Sequence, residues 1–331
     1  MTESREPLLE VRDLEVVFKS DFGEHAVTDR ISFEIGHGET LGIVGESGCG
    51  KSVTSLAIMG LLAGNGRIEQ GTILLRDPAH PEGRELTSLD RRALDEVRGK
   101  EISMIFQDAL ASLNPVFSIG SQVIEAVRAH RKISRTEAAV LAADMLRRVG
   151  LPDPEKTMRK YPFQLSGGMR QRVMIAMALA GEPELLIADE ATTALDVTIQ
   201  AQIMRLMKDI RAEMAMSMLL ITHDIGLIAE MADRVLVMYA GQIVEEAEVH
   251  DLFHHPAHPY TQLLIAATPG MYDDPARKLT AIPGTVPEDY SDMTGCRFAD
   301  RCPYASAECA SPQAGREVSA GHFARCHRAA G

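Results

Sequence analysis

The feature that most constrains the fold is a glycine-rich segment near the start of the chain, Gly45-Glu46-Ser47-Gly48-Cys49-Gly50-Lys51-Ser52. It fits the pattern G-x-x-x-x-G-K-[ST], follows the apolar residues 41–44 and precedes a helical pattern at 51–62. In that context, glycines let backbone N–H groups surround a phosphate at the positive N-terminal end of a helix. Lys51 adds a positive charge at the β- and γ-phosphates, and the Ser52 hydroxyl is a ligand for Mg²⁺. The segment therefore predicts a nucleoside-triphosphate site, in which Cys49 is better explained as a small residue than as a redox switch.

The hydrophobic pattern around this segment predicts an α/β fold. Apolar and polar residues alternate over the first 45 residues, as they do in strands. From residue 185 to residue 246, apolar strand-like segments take turns with helical ones. This alternation predicts a parallel sheet covered by helices.

A helical stretch at 120–150 interrupts the strand-rich pattern. Ser134 and Glu137 have the spacing of a capping box, and an amphipathic segment follows them. We therefore expect a helical subdomain inserted into the α/β core, over about residues 108–180.

Polar side chains follow three of the predicted strands. Asp189, at the end of the strand 185–190, can hold Mg²⁺ through its oxygens, and Glu190 can orient the attacking water or accept its proton. His223 can donate to the γ-phosphate, and Gln107 can bind the metal or the water. A lone Gln after a strand, or a lone His before Asp224, is usually an ordinary strand-end polar group or a helix cap, so the prediction depends on the ordered set.

The motif Leu165-Ser166-Gly167-Gly168-Met169-Arg170-Gln171 adds a second predicted helix N-terminus suited to a phosphate. With this motif included, the ordered series resembles the ATP-binding-cassette (ABC) family over roughly residues 8–255. The resemblance implies a P-loop ABC-type nucleotide-binding domain with a RecA-like core, an antiparallel β subdomain and the inserted helical subdomain.

The resemblance also implies ATP and Mg²⁺ as cofactors and assigns further roles. The residues that would meet the ATP of a partner subunit are Ser166, Gly167, Gly168 and Gln171. Asp196 would contact that subunit, although its position also suits a helix N-cap. Phe22 would stack on adenine, with ordinary core packing as the alternative. Ser52, Gln107 and Asp189 would be the Mg²⁺ ligands.

The C-terminal stretch narrows the resemblance. The segments HPYTQLL (258–264), IPG (282–284), GC (295–296) and RCPYA (301–305) resemble the terminal extension of dipeptide and oligopeptide permease ATPases, and the match is closest to the D-type subunits. We therefore expect an ABC domain at 1–255 and a small Cys-rich extension at 256–331.

The expected function is ATP hydrolysis that powers a bacterial importer of dipeptides or other short peptides. The implied partners are a second, paralogous ABC ATPase, two transmembrane permease subunits and an extracytoplasmic peptide-binding protein. The chain itself lacks an apolar run approaching the ~18 residues of a membrane span, and its first residues lack a secretory-signal pattern. We therefore expect it on the cytoplasmic side of the inner membrane, as a peripheral subunit.

Four cysteines crowd into the last 36 residues: Cys296, Cys302, Cys309 and Cys326. In a reducing cytoplasm, a metal centre is a commoner reason to gather thiols than disulfides are. The C-x2-4-C pairs typical of zinc are missing, and the family resemblance favours a [4Fe–4S] cluster. Zinc and structural thiols without metal stay open as alternatives.

The net charge of −13 argues against nucleic acid as a partner, because nucleic-acid binding relies on a positive surface. It weighs against an ABC ATPase that acts in nucleic-acid metabolism. The same machinery importing nickel, glutathione or antimicrobial peptides remains an alternative, because the resemblance implies a subunit that does not contact cargo.

Overall fold

The computed structural model of the protein describes residues 6–21, 23–77, 79–107, 112–192, 195–268, 281–287, 289–290 and 292–329. The strands are β1 (Leu9–Ser20), β2 (Gly23–Ile35), β3 (Thr40–Val44), β4 (Gly66–Asp77), β5 (His80–Glu85), β6 (Ile102–Ile105), β7 (Leu185–Asp189), β8 (Ser217–Thr222), β9 (Arg234–Tyr239), β10 (Gln242–Glu248), β11 (Arg316–Ser319) and β12 (His322–Ala324). The helices are α1 (Lys51–Ile58), α2 (Arg91–Val97), α3 (Ile119–Ala129), α4 (Arg135–Arg148), α5 (Pro154–Thr157), α6 (Gly167–Ala178), α7 (Val197–Met214), α8 (Ile225–Met231), α9 (Val249–His254) and α10 (Pro259–Ala266). Within the described ranges, no helix combines the length and apolarity that crossing a membrane requires.

Two sheets organise these elements. The smaller one is antiparallel, in the order β2-β1-β4-β5, and the larger one has the order β11-β12-β10-β9-β3-β8-β7-β6. Within the larger sheet, β6, β7, β8, β3 and β9 are parallel neighbours, as the alternating pattern predicts. Every residue of β3, β6, β7 and β8 is buried, because helices and the smaller sheet cover both faces.

The parallel arrangement positions the candidate site. The carboxyl ends of β3, β7 and β8 meet at one edge of the larger sheet, since neighbouring parallel strands share their direction. We call this edge, with the loops that follow these three strands, the nucleotide edge.

The helix after β3 is shorter than the pattern at 51–62 predicts. It ends at Ile58 because Gly60, with φ of 60°, adopts the left-handed conformation that stops a helix. The N–H of Leu61 then bonds to the carbonyl of Leu56 at 2.8 Å, and the N–H of Gly60 bonds to that of Ala57 at 3.0 Å. The helix therefore ends about one turn earlier than the sequence pattern predicts.

Helices α3, α4 and α6 pack against one another between β6 and β7 in the chain order. The capping box that the sequence predicts is confirmed: the Ser134 hydroxyl accepts from the N–H of Glu137, whose carboxylate accepts from the N–H of Ser134. The helical pattern predicted at 120–150 is confirmed in this part of the chain, while the subdomain limits of 108 and 180 stay a prediction.

The chain after β10 returns to the larger sheet. Strand β12 pairs with β10, and β11 pairs with β12. The buried carboxylate of Glu245 on β10 accepts from the N–H groups of Ala257 and His258, at 2.7 and 2.8 Å, and lies 2.8 Å from His322 Nε2. These contacts join the C-terminal residues to the sheet that carries the site, and the domain boundary at 255 stays a prediction.

Candidate functional site

The phosphate loop, residues 45–52, connects β3 to α1 and needs its glycines for two reasons. Gly48 and Gly50 have φ of 83° and 104°, which side-chain-bearing residues rarely adopt. A Cβ on Gly45 would overlap the carbonyl oxygen of Met238 on β9. The loop can therefore lie against the sheet only with a glycine at this position.

Lys51 opens α1, and its ammonium group is buried inside the loop. Its Nζ donates to the carbonyl oxygens of Gly45 and Glu46, at 2.7 and 3.0 Å. Cys49 is fully buried beside it, and burial raises the pKa of the Cys49 thiol. A buried thiol that stays protonated agrees with the interpretation of Cys49 as a small packing residue.

Asp189 and Ser52 form the candidate Mg²⁺ site. Asp189 ends β7, and its carboxylate accepts from the hydroxyls of Ser52 at 2.9 Å and Ser55 at 3.2 Å. Burial raises the pKa of the Asp189 carboxyl, and the neighbouring Glu190 adds to the rise. A carboxylate beside a hydroxyl is the oxygen donor set that Mg²⁺ prefers.

Glu190 lies directly after Asp189 and connects the two other predicted catalytic residues. Its Oε2 accepts from the Gln107 side-chain amide at 2.8 Å, and its Oε1 lies 3.2 Å from Nδ1 of His223. The Glu190 side chain is 13% exposed and that of His223 is 58% exposed, so the carboxylate is the more buried of the two groups. Gln107 is thus hydrogen-bonded to Glu190 rather than to the Ser52–Asp189 pair.

The backbone of Glu190 is itself unusual. It has φ of 46°, in the left-handed region, and its N–H donates to the carbonyl of Ile221 on β8 at 2.9 Å. A non-glycine residue pays of order 1–2 kcal/mol for this conformation, and such residues concentrate at functional sites. The turn directs the Glu190 side chain to the nucleotide edge instead of along β7.

The residues of the LSGGM segment form a second group. Ser166 caps α6 by accepting from the N–H of Met169 at 3.4 Å, and a Cβ on Gly168 would lie 2.7 Å from Ile199 on α7. The buried side-chain amide of Gln171 donates to the carbonyl of Ala191, just after Glu190. These contacts join the second group to the loop that follows β7.

Asp196 is an N-cap, as one of its two interpretations predicts. Its carboxylate accepts from the N–H of Ile199 at 2.9 Å at the start of α7. Its contact with a second subunit stays a prediction, and Phe22, the predicted adenine-stacking residue, lies outside the described residues.

The four cysteines predicted as cluster ligands line one small cavity: Cys296, Cys302, Cys309 and Cys326. Burial raises the pKa of the Cys296 and Cys302 thiols. Among the residues that the structure describes, no group of three or more His, Cys, Asp or Glu side chains is placed to hold a metal ion. The structure therefore does not show the predicted iron–sulfur cluster, although the four thiols lie around a common space.

The structure adds two residues that the motifs leave without a role. Arg301 makes an ion pair with Glu46 of the phosphate loop at 2.7 Å, and the Tyr260 hydroxyl accepts from the Glu46 N–H at 2.9 Å. Both belong to C-terminal segments that resemble the permease ATPases. No short-range pattern indicates these contacts, because Tyr260 and Arg301 lie 214 and 255 residues away along the chain.

Two family models match this chain. The model of the ABC transporter family covers residues 28–193, and the model of the oligopeptide/dipeptide transporter C-terminal region covers residues 244–309. Each predicted site residue from Gly45 to Glu190 lies within the first match. Cys296, Cys302 and Cys309 lie within the second.

Curated relatives match over most of their length. The chain is 45% identical over 321 residues to the dipeptide transport ATP-binding protein DppD of Escherichia coli (strain K12), covering 97% of this chain and 96% of that protein. It is 51% identical over 299 residues to the oligopeptide transport ATP-binding protein OppD of Bacillus subtilis (strain 168), covering 90% and 82%.

The fold is also similar to that of a solved ATP-binding cassette. An ATP-binding cassette solved as a dimer in a post-hydrolysis state, with ADP and Pi bound, has a TM-score of 0.64 and 26% identity. The match covers 73% of this chain and 98% of that one. The described fold is that of an ABC ATPase cassette, and this chain belongs to the ABC transporter family as an ATP-binding subunit of its dipeptide and oligopeptide group.

Proposed function

We propose that this chain hydrolyses ATP to power the import of dipeptides or other short peptides by a bacterial ABC transporter. One observation carries the proposal: the phosphate loop, Asp189 and the Glu190–Gln107–His223 group converge at one edge of the sheet. The peptide-transport relatives supply the cargo class.

The catalytic roles follow from chemistry and position. Lys51 holds the β- and γ-phosphates, exchanging its bonds to loop carbonyls for bonds to phosphate oxygens. Ser52 and Asp189, which are hydrogen-bonded to each other, would hold Mg²⁺, and the bound ion would neutralise phosphate charge. Glu190 orients the attacking water and accepts its proton. Gln107 and His223 contact its carboxylate from two sides. With ATP bound, His223 would donate to the γ-phosphate and Gln107 would bind the metal or the water.

A second, paralogous ATPase completes the site. Ser166 and the N–H groups at the start of α6 suit the phosphates of the partner's ATP, since a helix N-terminus favours anions. The cassette that this chain resembles was solved as a dimer. Asp196 lies at the start of α7, and its neighbour Val197 is 83% exposed, which suits a subunit contact.

Two transmembrane permease subunits would dock on a groove between β6 and the helical part of the chain. Met104, Phe106, Leu113 and Met177 line this groove, and Phe106 is 41% exposed beside Gln107. An apolar groove next to Gln107 can transmit docking to the group around Glu190. The chain would thus be peripheral, on the cytoplasmic side of the inner membrane, with an extracytoplasmic peptide-binding protein across it.

The test is ATP turnover by the assembled complex with Glu190→Gln. Removing the general base should lower kcat by about 10²–10⁴-fold while ATP binding persists. The matched control is Glu182→Gln on the surface, which should retain wild-type turnover. Undiminished hydrolysis by the Glu190→Gln variant would contradict the assignment.

The cargo needs its own experiment. Mass spectrometry of the ligand that co-purifies with the binding protein of the intact complex should identify a short peptide. Detection of nickel, glutathione or an antimicrobial peptide instead would change the proposed cargo and leave the proposed ATPase activity unaffected. Co-purification with nucleic acid instead of membrane subunits would favour the nucleic-acid alternative, which the net charge of −13 disfavours.

The finer proposal for residues 256–331 is a Cys-rich extension that holds a [4Fe–4S] cluster. Its support is the shared cavity and two backbone N–H groups, of Tyr304 and Ser306, that point to Cys302 Sγ at 3.4 Å and Cys309 Sγ at 3.5 Å. N–H···S contacts of this kind tune such clusters. Anaerobically purified protein should contain iron and sulfide, whereas bound zinc or no metal would overturn the proposal.

A further inference from the structure

Arg301 connects the C-terminal segment, residues 281–329, to the phosphate loop. Its side chain is only 7% exposed, and its guanidinium donates to both carboxylate oxygens of Glu46, at 2.7 and 3.0 Å. The remaining N–H groups donate to the carbonyls of Pro283 and Gly284, at 2.7 and 3.2 Å, and to the Tyr239 hydroxyl at 3.3 Å. A bidentate bond of this kind fixes both the position and the orientation of the Glu46 side chain.

Tyr260 holds the same loop residue by its backbone. The Tyr260 hydroxyl accepts from the N–H of Glu46 at 2.9 Å. The Tyr260 ring is fully buried and packs against the rings of Tyr239 and Phe298, with centroids 4.8 and 5.2 Å away. A rigid aromatic cluster therefore sets the place of the hydroxyl.

Glu46 is in turn bonded to the reactive part of the loop. Its carbonyl accepts from Lys51 Nζ at 3.0 Å and from the N–H of Cys49 at 3.4 Å. Tyr260 and Arg301 are thus connected to the phosphate-binding Lys51 through a single loop residue, Glu46.

We infer that Arg301 and Tyr260 are positioning residues that hold the phosphate loop ready for ATP through Glu46. The inference rests on the proposed function, since it concerns the same nucleotide site. The expected gain in ATP affinity has two physical causes. Ordering the backbone of one residue costs about 1–2 kcal/mol, and the C-terminal contacts meet that cost during folding instead of during ATP binding. Arg301 also neutralises a carboxylate that would otherwise repel the triphosphate.

The experiment measures the Kd of the full-length chain for MgATP, and KM and kcat of the assembled complex. Arg301→Ala should raise Kd and KM about 5- to 30-fold, the factor that 1–2 kcal/mol represents. The value of kcat should change less than about twofold, because the Glu190–Gln107–His223 group has its own hydrogen bonds. The Kd of Arg301→Lys should lie between those of the wild type and Arg301→Ala, since an ammonium keeps the charge and loses the bidentate geometry.

The matched control is Arg328→Ala. Arg328 is an exposed arginine of the same segment that lies over the Tyr304 ring, at 5.1 Å from its centroid. This variant should keep the wild-type Kd. If charge neutralisation contributes, Glu46→Gln should partly restore ATP affinity in the Arg301→Ala background, which a purely structural role would not predict.

Tyr260→Phe keeps the test decisive if Arg301→Ala fails to fold. It removes one hydroxyl and leaves the aromatic cluster packed, so Kd should rise about 2- to 5-fold, as for one lost hydrogen bond. Wild-type Kd in Tyr260→Phe and in every folded Arg301 variant would overturn the inference. A wild-type chain that bound no ATP would overturn the proposed function as well, so the two failures are distinguishable.

Discussion

The nucleotide edge and the C-terminal segment, residues 281–329, bring distant residues together in different ways. At the nucleotide edge, Asp189 and Glu190 end a buried parallel strand and His223 follows its neighbour, so the sheet itself aligns them. In the C-terminal segment, the described regular elements are two short strands and two 3₁₀ turns, and single side chains such as Arg297 and Arg301 supply the order. The arrangement of the proposed site at the sheet therefore follows from strand topology, whereas the position of the C-terminal segment depends on a few buried contacts.

The largest effect should come from breaking the nucleotide edge. Asp189→Asn keeps the shape of the side chain and removes the charge proposed to hold Mg²⁺, so kcat/KM should fall at least about 100-fold. Steady-state ATPase assays of the assembled complex measure the loss. Asp224→Asn is the matched control at the same edge. Asp224 caps α8 by accepting from the N–H of Gly226 at 2.9 Å, and asparagine caps equally well. Equal losses in both variants would contradict the metal role.

The next effect should come from breaking the anchor of the C-terminal segment. Arg297 is 6% exposed and donates to Asp29 at 2.8 Å, so Arg297→Ala leaves a carboxylate without its buried partner. Asp29 is 22% exposed and keeps its bond from Gln242, so the free energy of unfolding should fall by about 2–3 kcal/mol. Chemical denaturation of the full-length chain measures it.

Arg30→Ala is the control for this anchor, because Arg30 is 65% exposed and lies 3.5 Å from the same Asp29. Its loss should cost about 0–1 kcal/mol, as for other surface pairs. A cost as large as that of Arg297→Ala would mean that the charge of Asp29, rather than the buried contact, decides stability.

A smaller effect should appear with pH at the junction of the two regions. Burial lowers the pKa of His258 to about 4, and its Nδ1 accepts from the N–H of Tyr260 at 3.0 Å. In the unfolded chain, His258 binds a proton at the ordinary histidine pKa of about 6.5. Between that pH and the lower pKa of the folded state, acid therefore favours unfolding. Stability should therefore fall by about 2 kcal/mol as the pH drops from 7 to 5.

Denaturation of the wild type and of His258→Asn at both pH values measures this dependence. Asparagine can cap α10 and does not titrate, so the variant should lose about 2 kcal/mol less over the same interval. An identical pH dependence in both proteins would exclude His258 as the group responsible.

Much of the nucleotide edge could be predicted from the sequence, for a physical reason. A phosphate loop after a buried strand, and polar residues at the ends of later strands, must meet once the strands are parallel. The pairing of Gln107 with Glu190 could not be predicted, because a side-chain amide can reach several oxygens and only the turn at Glu190 selects one.

The C-terminal segment could be predicted from the sequence only in part. Its cysteine spacing predicts a shared location, and the four thiols do line one cavity, but spacing does not specify the ligand geometry. The bond from Arg301 to Glu46 joins residues 255 positions apart without a periodic pattern between them.

Residues a few positions apart are enough to specify the phosphate loop, the order of the strands' polar residues and the helix caps at Ser134 and Asp196, so these could be predicted from the sequence. Which partner each buried charge takes depends on the three-dimensional fold. A buried arginine or carboxylate must be paired, and the available partner is set by how the last strands return to the sheet. That return brings Arg301 to Glu46, and with it the C-terminal segment to the phosphate loop.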